Sequence, residues 1–146
     1  MSFAPYLNFN GNCAEAFAFY AQTFGGTLAH QTTFGEMPPE PDMPALSDEG
    51  KRRIMHVQLQ LKNGVLMGSD ALPEGTPSCG GYQPPQGIWV SIQADDVTQG
   101  RRFFEALAQG GEIVMPYAET FWSPGFGMTK DRFGIPWLIN VVAPQG

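Results

Sequence analysis

Residues 12–26 read NCAEAFAFYAQTFGG, and residues 96–111 read DVTQGRRFFEALAQGG. Each stretch is a helix with its own punctuation. A residue able to cap opens it: Asn12 in the first, with Glu15 reaching back in a capping-box variant, and Asp95 or Asp96 in the second. Apolar side chains then recur at helical spacing. Phe17, Tyr20, Ala21 and Phe24 fall at i, i+3, i+4 and i+7, and Val97, Gly100, Phe103, Phe104 and Leu107 form the matching stripe. A glycine pair ends each helix, Gly25-Gly26 and Gly110-Gly111, because glycine accepts the left-handed turn that follows a helix.

Outward from each helix lie one strand-like run before it and three after it. Ala4–Phe9 precedes the first helix. Leu28–Phe34, Ile54–Leu61 and Val65–Asp70 follow, the last two joined by the hairpin signal Lys62-Asn63-Gly64. Ile88–Gln93 precedes the second helix. Glu112–Glu119, a run around Gly127–Lys130, and Pro136–Val142 follow, with Asp131-Arg132-Phe133-Gly134 as a turn. One plan stated twice indicates an internal duplication. The expected fold is α+β, built of paired βαβββ modules at about residues 4–71 and 86–143, within a single domain spanning 1–146. Gly35–Arg53 and Pro73–Gln86 stand outside the repeat, rich in proline, and are expected to be long covering or linking loops.

Bulk properties exclude several classes of function. The 146 residues carry 8 Lys and Arg against 14 Asp and Glu, a net charge of −6, which argues against nucleic acid and anionic membrane partners. No apolar run approaches the roughly 20 residues a bilayer span needs. The start Met1-Ser2-Phe3-Ala4-Pro5 lacks the basic and apolar regions of a signal peptide. Cys13 and Cys79 make no disulfide framework. A cytoplasmic protein with a small-molecule or protein partner is expected.

Several blocks in order carry a family resemblance. They are Pro5–Ala16, Phe19-Tyr20, Phe24-Gly25-Gly26, Phe34–Pro38, Gly68–Ala71, Glu119–Trp122 and Asp131–Trp137. Together they resemble the PhnB-like branch of the vicinal-oxygen-chelate (glyoxalase/bleomycin-resistance/dioxygenase) superfamily. The resemblance implies two βαβββ modules whose sheets curl around a cavity, often completed in a homodimer. The branch also carries the label of a demethylubiquinone methyltransferase domain, yet no glycine-rich strand-to-helix loop for S-adenosylmethionine is visible. Enzymes of the wider superfamily hold a divalent metal with His, Gln and Glu. The positions the resemblance implies for those ligands fall at Ala4 or Pro5, Met67 or Gly68, Trp89 or Val90, and Leu138. None of these side chains binds such a metal, so neither metal nor other cofactor is expected.

A different polar set remains. Strand alternation puts Val57, Leu59 and Leu61 on one face of their run and His56, Gln58 and Gln60 on the other. The same parity sets Tyr6 and Asn8, Trp89 and Ser91, and Asn140 opposite apolar partners. Tyr117 and Glu119 end a further row that runs into Phe121 and Trp122. Aromatic walls with a few polar groups suit a small organic ligand. His56 and Glu119 are the candidate catalytic pair, sharing a cavity with Trp122 at its mouth, and Tyr6, Asn8, Gln58, Trp89, Ser91, Trp122 and Asn140 are the candidate ligand contacts. Plainer readings stand beside these: His56 as a hydrogen-bonded structural residue, Glu119 as a loop cap or Arg partner, the tryptophans as core, His30 as exposed surface, Glu36 as a lid contact or solvated charge. Three functions compete. The first is a metal-free binding protein or enzyme. The second is a metal-dependent lyase, isomerase or dioxygenase with shifted ligands such as His56, Glu119 and Asp70. The third is a dimeric interaction module with a vestigial pocket.

Overall fold

A computed structural model describes residues 1–38, 41, 45–73 and 81–143. Contacts divide the chain into two units, Met1–Pro84 and Pro85–Gly146. The first contains β1 (Tyr6–Phe9), α1 (Cys13–Phe24), β2 (Thr27–Thr33), a 3₁₀ turn (Phe34–Glu36), α2 (Asp48–Arg52), β3 (Ile54–Leu61) and β4 (Gly64–Asp70). Its four strands form one open sheet in the order β1-β4-β3-β2, parallel at β1–β4 and antiparallel elsewhere. The second contains β5 (Val90–Ala94), α3 (Val97–Ala108), β6 (Glu112–Ala118), β7 (Phe126–Lys130) and β8 (Pro136–Val141). Its order, β5-β8-β7-β6, repeats the first, again with one parallel pair at β5–β8. This is the expected α+β plan, with strand ends moved by one or two residues.

Each helix lies against one face of its sheet. In unit one Phe17 and Tyr20 of α1 are fully buried with Val57 and Leu59 of β3 and Phe9 of β1. Phe9 and Phe17 meet edge to face at 6.0 Å, and Phe17 and Tyr20 at 5.6 Å. Burying side chains of this size is worth roughly 1.5–3 kcal/mol each. In unit two Phe103, Phe104 and Leu107 of α3 are buried, as are Trp137, Ile139 and Val141 of β8.

The two glycine pairs hold equivalent places. Gly25 and Gly110 adopt φ values of 79° and 75° just beyond their helices. The next glycine in each pair then passes against a strand carbonyl. A Cβ on Gly26 would lie 2.6 Å from the Gln60 carbonyl oxygen, and one on Gly111 would run into that of Lys130. Only glycine permits β2 and β6 to start so close to β3 and β7.

The helix starts differ from each other. Of the two candidates Asp95 and Asp96, it is Asp96 that caps α3, its side chain accepting from the Gln99 N–H at 2.8 Å. Asn12 sits at the N-cap of α1 without a side-chain cap bond, so the expected Asn12–Glu15 box does not form. Asp70, from the end of β4, replaces it. Its Oδ1 accepts from the N–H groups of Gly11 (2.8 Å) and Cys13 (3.0 Å), and its Oδ2 from Ile54 N–H (2.9 Å). Burial, reinforced by this neighbouring carboxylate, pushes the Cys13 thiol far above its ordinary range.

The described parts of the stretch 35–53 hold more order than their composition suggests. Thr33 and Glu36 make a capping box around the 3₁₀ turn, which gives Glu36 a structural partner. Ser47 caps α2 by accepting from Gly50 N–H at 3.0 Å. The buried Arg53 that follows donates to Asn10 Oδ1 (3.0 Å), the Ala71 carbonyl (2.7 Å) and Glu49 (2.9 Å), tying α2 to the adjacent C-terminal ends of β1 and β4. Cys79 lies outside the described residues. Among the described residues no helix is long and apolar enough to cross a membrane.

Candidate functional site

The face of the first sheet turned away from α1 carries one uncharged row. Cross-strand register aligns Tyr6 (β1) with Met67 (β4), Gln58 (β3) and Ala29 (β2), and next to them Val65 with Gln60 and Thr27. Asn8 pairs with Ser69, and His56 with Thr32. The parity argument from β3 therefore holds: Val57 and Leu59 are buried while His56 and Gln58 are half-buried and Gln60 is exposed. Neighbours on this face are tied together. Tyr6 reaches across β4 to His56, its Oη 3.1 Å from Nδ1, with the rings stacked at 5.7 Å and 29° between planes. Gln60 Nε2 donates to Gln58 Oε1 at 3.1 Å, and Gln58 Nε2 to the Met67 sulfur at 3.7 Å. The Tyr6–His56 contact joins two strands that are not neighbours, so parity on single strands did not reveal it.

His30 is exposed, as expected. It occupies a break in the β2–β3 register and is the only described non-glycine residue with positive φ, 55°.

In the second unit the face away from α3 carries Ser91 and Gln93 of β5, Leu138 and Asn140 of β8, and Met128 and Phe126 of β7, aligned by register. Asn140 Nδ2 donates to Gln93 Oε1 at 2.9 Å, and Gln93 Nε2 to Ser91 Oγ at 2.9 Å. Asn140 Oδ1 is buried and accepts no hydrogen bond from any described residue. Trp89 is half-buried immediately before β5.

Residues 119–125 form a pinned aromatic loop. Buried Ser123 holds it: its Oγ lies 2.7 Å from the carbonyls of both Gly125 and Val141, and Thr120 N–H donates to the Ser123 carbonyl at 2.8 Å. That anchorage presents Phe121, 97% exposed, and Trp122, 48% exposed, edge to face at 4.8 Å. Trp122 also packs on Phe126 at 5.3 Å, next to Asn140 across the strands. Glu119 is exposed at the loop's start.

Tyr117 does not belong to this row. Its hydroxyl donates to the Val97 carbonyl at 2.8 Å, and its ring lies 5.7 Å from Phe104 and 5.1 Å beneath the Arg101 guanidinium, all on the α3 side. Burial holds its hydroxyl above the ordinary value of 10.0; Arg101 opposes the shift and Asp96 adds to it. The alternation count failed because β6 is irregular, with register shifts on either side of Met115. Trp137 is core, its Nε1 donating to Asp131 Oδ2 at 2.8 Å.

Among the described residues, those at the candidate positions do not suit a divalent metal. Asp70 spends its carboxylate on three backbone N–H groups on the α1 side, whereas His56 lies on the opposite face, so the shifted set of His56, Glu119 and Asp70 does not assemble. Among the described residues no three His, Cys, Asp or Glu side chains stand together in a metal-holding group.

Known proteins are similar to this chain in sequence and fold. The chain is 37% identical over 150 residues to the Escherichia coli protein YjdN, covering 99% of this chain and 98% of that one. The crystal structure of PA1353 from Pseudomonas aeruginosa is similar at 39% identity and a TM-score of 0.83, over 97% of this chain and 98% of that one. A PhnB protein from Bacillus cereus, described as a putative 3-demethylubiquinone-9 3-methyltransferase, shares the fold at 20% identity, a TM-score of 0.73, and 97% and 100% coverage. The model of the Glyoxalase/Bleomycin resistance protein/Dioxygenase superfamily matches residues 3–139, and the chain belongs to that superfamily.

Proposed function

We propose that this protein binds a small organic ligand, as one domain, through the helix-free faces of its two sheets, without a divalent metal. The observation that carries this reading is that the helix-free face of the first sheet is polar yet uncharged. Lys, Arg, Glu and Asp ordinarily collect on solvated surfaces. A row of Tyr6, Asn8, His56, Gln58 and Gln60 instead offers directed hydrogen bonds among apolar neighbours, the make-up of a ligand site. The unsatisfied Asn140 Oδ1 supports the reading, since a buried acceptor costs about 1–3 kcal/mol until something donates to it. Ser91 and Trp89 extend that polar face, and Trp122 supplies an aromatic contact at its edge.

On this proposal His56 acts on the ligand face of the first unit, and Glu119 and Trp122 act on that of the second. A screen of uncharged organic compounds by thermal shift tests the reading. Ligand at a hundred times its Kd stabilises the folded state by about 2.7 kcal/mol. His56→Ala and Glu119→Gln should each weaken that shift while leaving the melting temperature of the free protein nearly unchanged. A large stability loss with no effect on binding would assign His56 to structure, and a response confined to divalent cations would restore the metal-dependent alternative. The active form is expected to be a cytoplasmic homodimer. In support, β6 is an edge strand of its sheet and exposes Ile113, Val114 and Met115.

A further inference from the structure

We infer that Tyr6 is a positioning residue that fixes the tautomer of His56, making its Nε2–H a donor for an uncharged oxygen acceptor of the ligand, such as a ketone or amide carbonyl. The inference rests on reading this face as a ligand face and names the chemistry it would take. The Tyr6 Oη to His56 Nδ1 separation of 3.1 Å is a hydrogen bond, but only one of the two groups donates. A phenol proton is the more acidic, and the phenol oxygen is a poor acceptor because its lone pair is delocalised into the ring. The imidazole nitrogen lone pair, by contrast, is a good acceptor. Tyr6 therefore donates to Nδ1, and neutral His56 must carry its own proton on Nε2.

The two rings also lie against each other, 5.7 Å between centroids and 29° between planes, which restrains the imidazole beside the hydroxyl. Nothing else on this face supplies a fixed charge. Gln58 spends a donor on Met67, and Gln60 spends one on Gln58. A carboxylate ligand would meet no cation among these residues, and a ligand ammonium would meet no anion. An uncharged carbonyl is the group this face can satisfy, with the Nε2–H aimed at its oxygen.

The chain has two histidines, so the experiment is direct. In uniformly ¹⁵N-labelled full-length protein at pH 8.5, two-bond proton–nitrogen spectra distinguish the Nε2–H from the Nδ1–H form, and a His30→Gln variant assigns the signals. His56 should show a predominant Nε2–H pattern. Tyr6→Phe removes only a hydroxyl from a residue that is 51% exposed. It should leave the melting temperature unchanged and move the His56 signals toward a mixed tautomer. An Nδ1–H pattern, or an unchanged pattern in Tyr6→Phe, overturns the inference whatever ligand binds. Acetophenone at millimolar concentration supplies the second arm, and it should perturb His56 Nε2 more than its isosteric alcohol does. Perturbation elsewhere on the sheet faces that spares His56 overturns the donor assignment alone. Failure of the whole compound screen counts against the ligand-face reading even where the tautomer is as inferred.

Discussion

The two units share a strand order and a helix position but secure their helices in opposite ways. α3 is capped from within its own chain segment: Asp96 accepts from the N–H three residues on. α1 is capped by Asp70, whose contacts with Gly11 and Cys13 close loops of 59 and 57 residues. Unit two places its buried carboxylate elsewhere. Asp131 accepts from Phe133 and Ile135 N–H and from the Trp137 indole, and so folds the β7–β8 turn. The corresponding β3–β4 turn at Lys62-Asn63-Gly64 is exposed. One architecture thus tolerates its fixed polar anchor at either end of the sheet. The difference shows that a cap is a requirement of the helix terminus, which has unpaired N–H groups, and not of any sequence position.

Substitutions should reveal this asymmetry as a graded series. Asp70→Asn should cost most, about 3 kcal/mol or more by urea unfolding. The amide has only one acceptor oxygen for three N–H groups, and its own N–H₂ faces a donor. A loss near that of a surface mutation would show that water replaces Asp70 and that α1 needs no distant cap.

Alkaline pH gives the next largest effect, read in unit one through Cys13. Cys13 ionises near 9.0 when unfolded, and its folded value is raised. Below pH 9 both states hold the proton and the contribution is complete. Above it the unfolded chain sheds the proton while the folded chain keeps it, so stability falls by up to about 1.4 kcal/mol per pH unit. The stability advantage of wild type over Cys13→Ala should therefore shrink between pH 9 and 10.5. A constant difference would place the thiol in a wetter setting than the α1 terminus shows.

The two local caps give the smallest and most instructive pair. Asp96→Ala should cost about 1 kcal/mol, as typical N-cap deletions do. Asn12→Ala should cost only a few tenths, because its side chain makes no cap bond. Equal losses would erase the contrast between local and distant capping.

Much of the fold was legible from short-range chemistry. Both glycine pairs, the β3–β4 hairpin, the Asp96 cap and the opposed faces of β3 follow from the residue itself or from neighbours within a few positions. The candidate site was legible only as faces. Parity put His56, Gln58, Asn140 and Ser91 away from the helices, because alternation along a regular strand is a local property. It misplaced Tyr117, since irregular β6 breaks the alternation on which the count depends. The short helix α2 escaped notice because five residues hold too little periodicity to stand out from a Pro-rich stretch.

The amino-acid sequence by itself determined the repeated βαβββ order, the places where helices stop, and which side of each regular strand turns away from its helix. These depend on backbone preferences and side-chain alternation within one segment. Tertiary structure alone decided that Asp70 caps α1, that Arg53 joins the adjacent C-terminal ends of β1 and β4, and that Tyr6 is the partner of His56. Each of those contacts joins residues 18 to 59 positions apart. Their geometry exists only after strand order and register are set, and no local pattern encodes which distant donor will meet which acceptor.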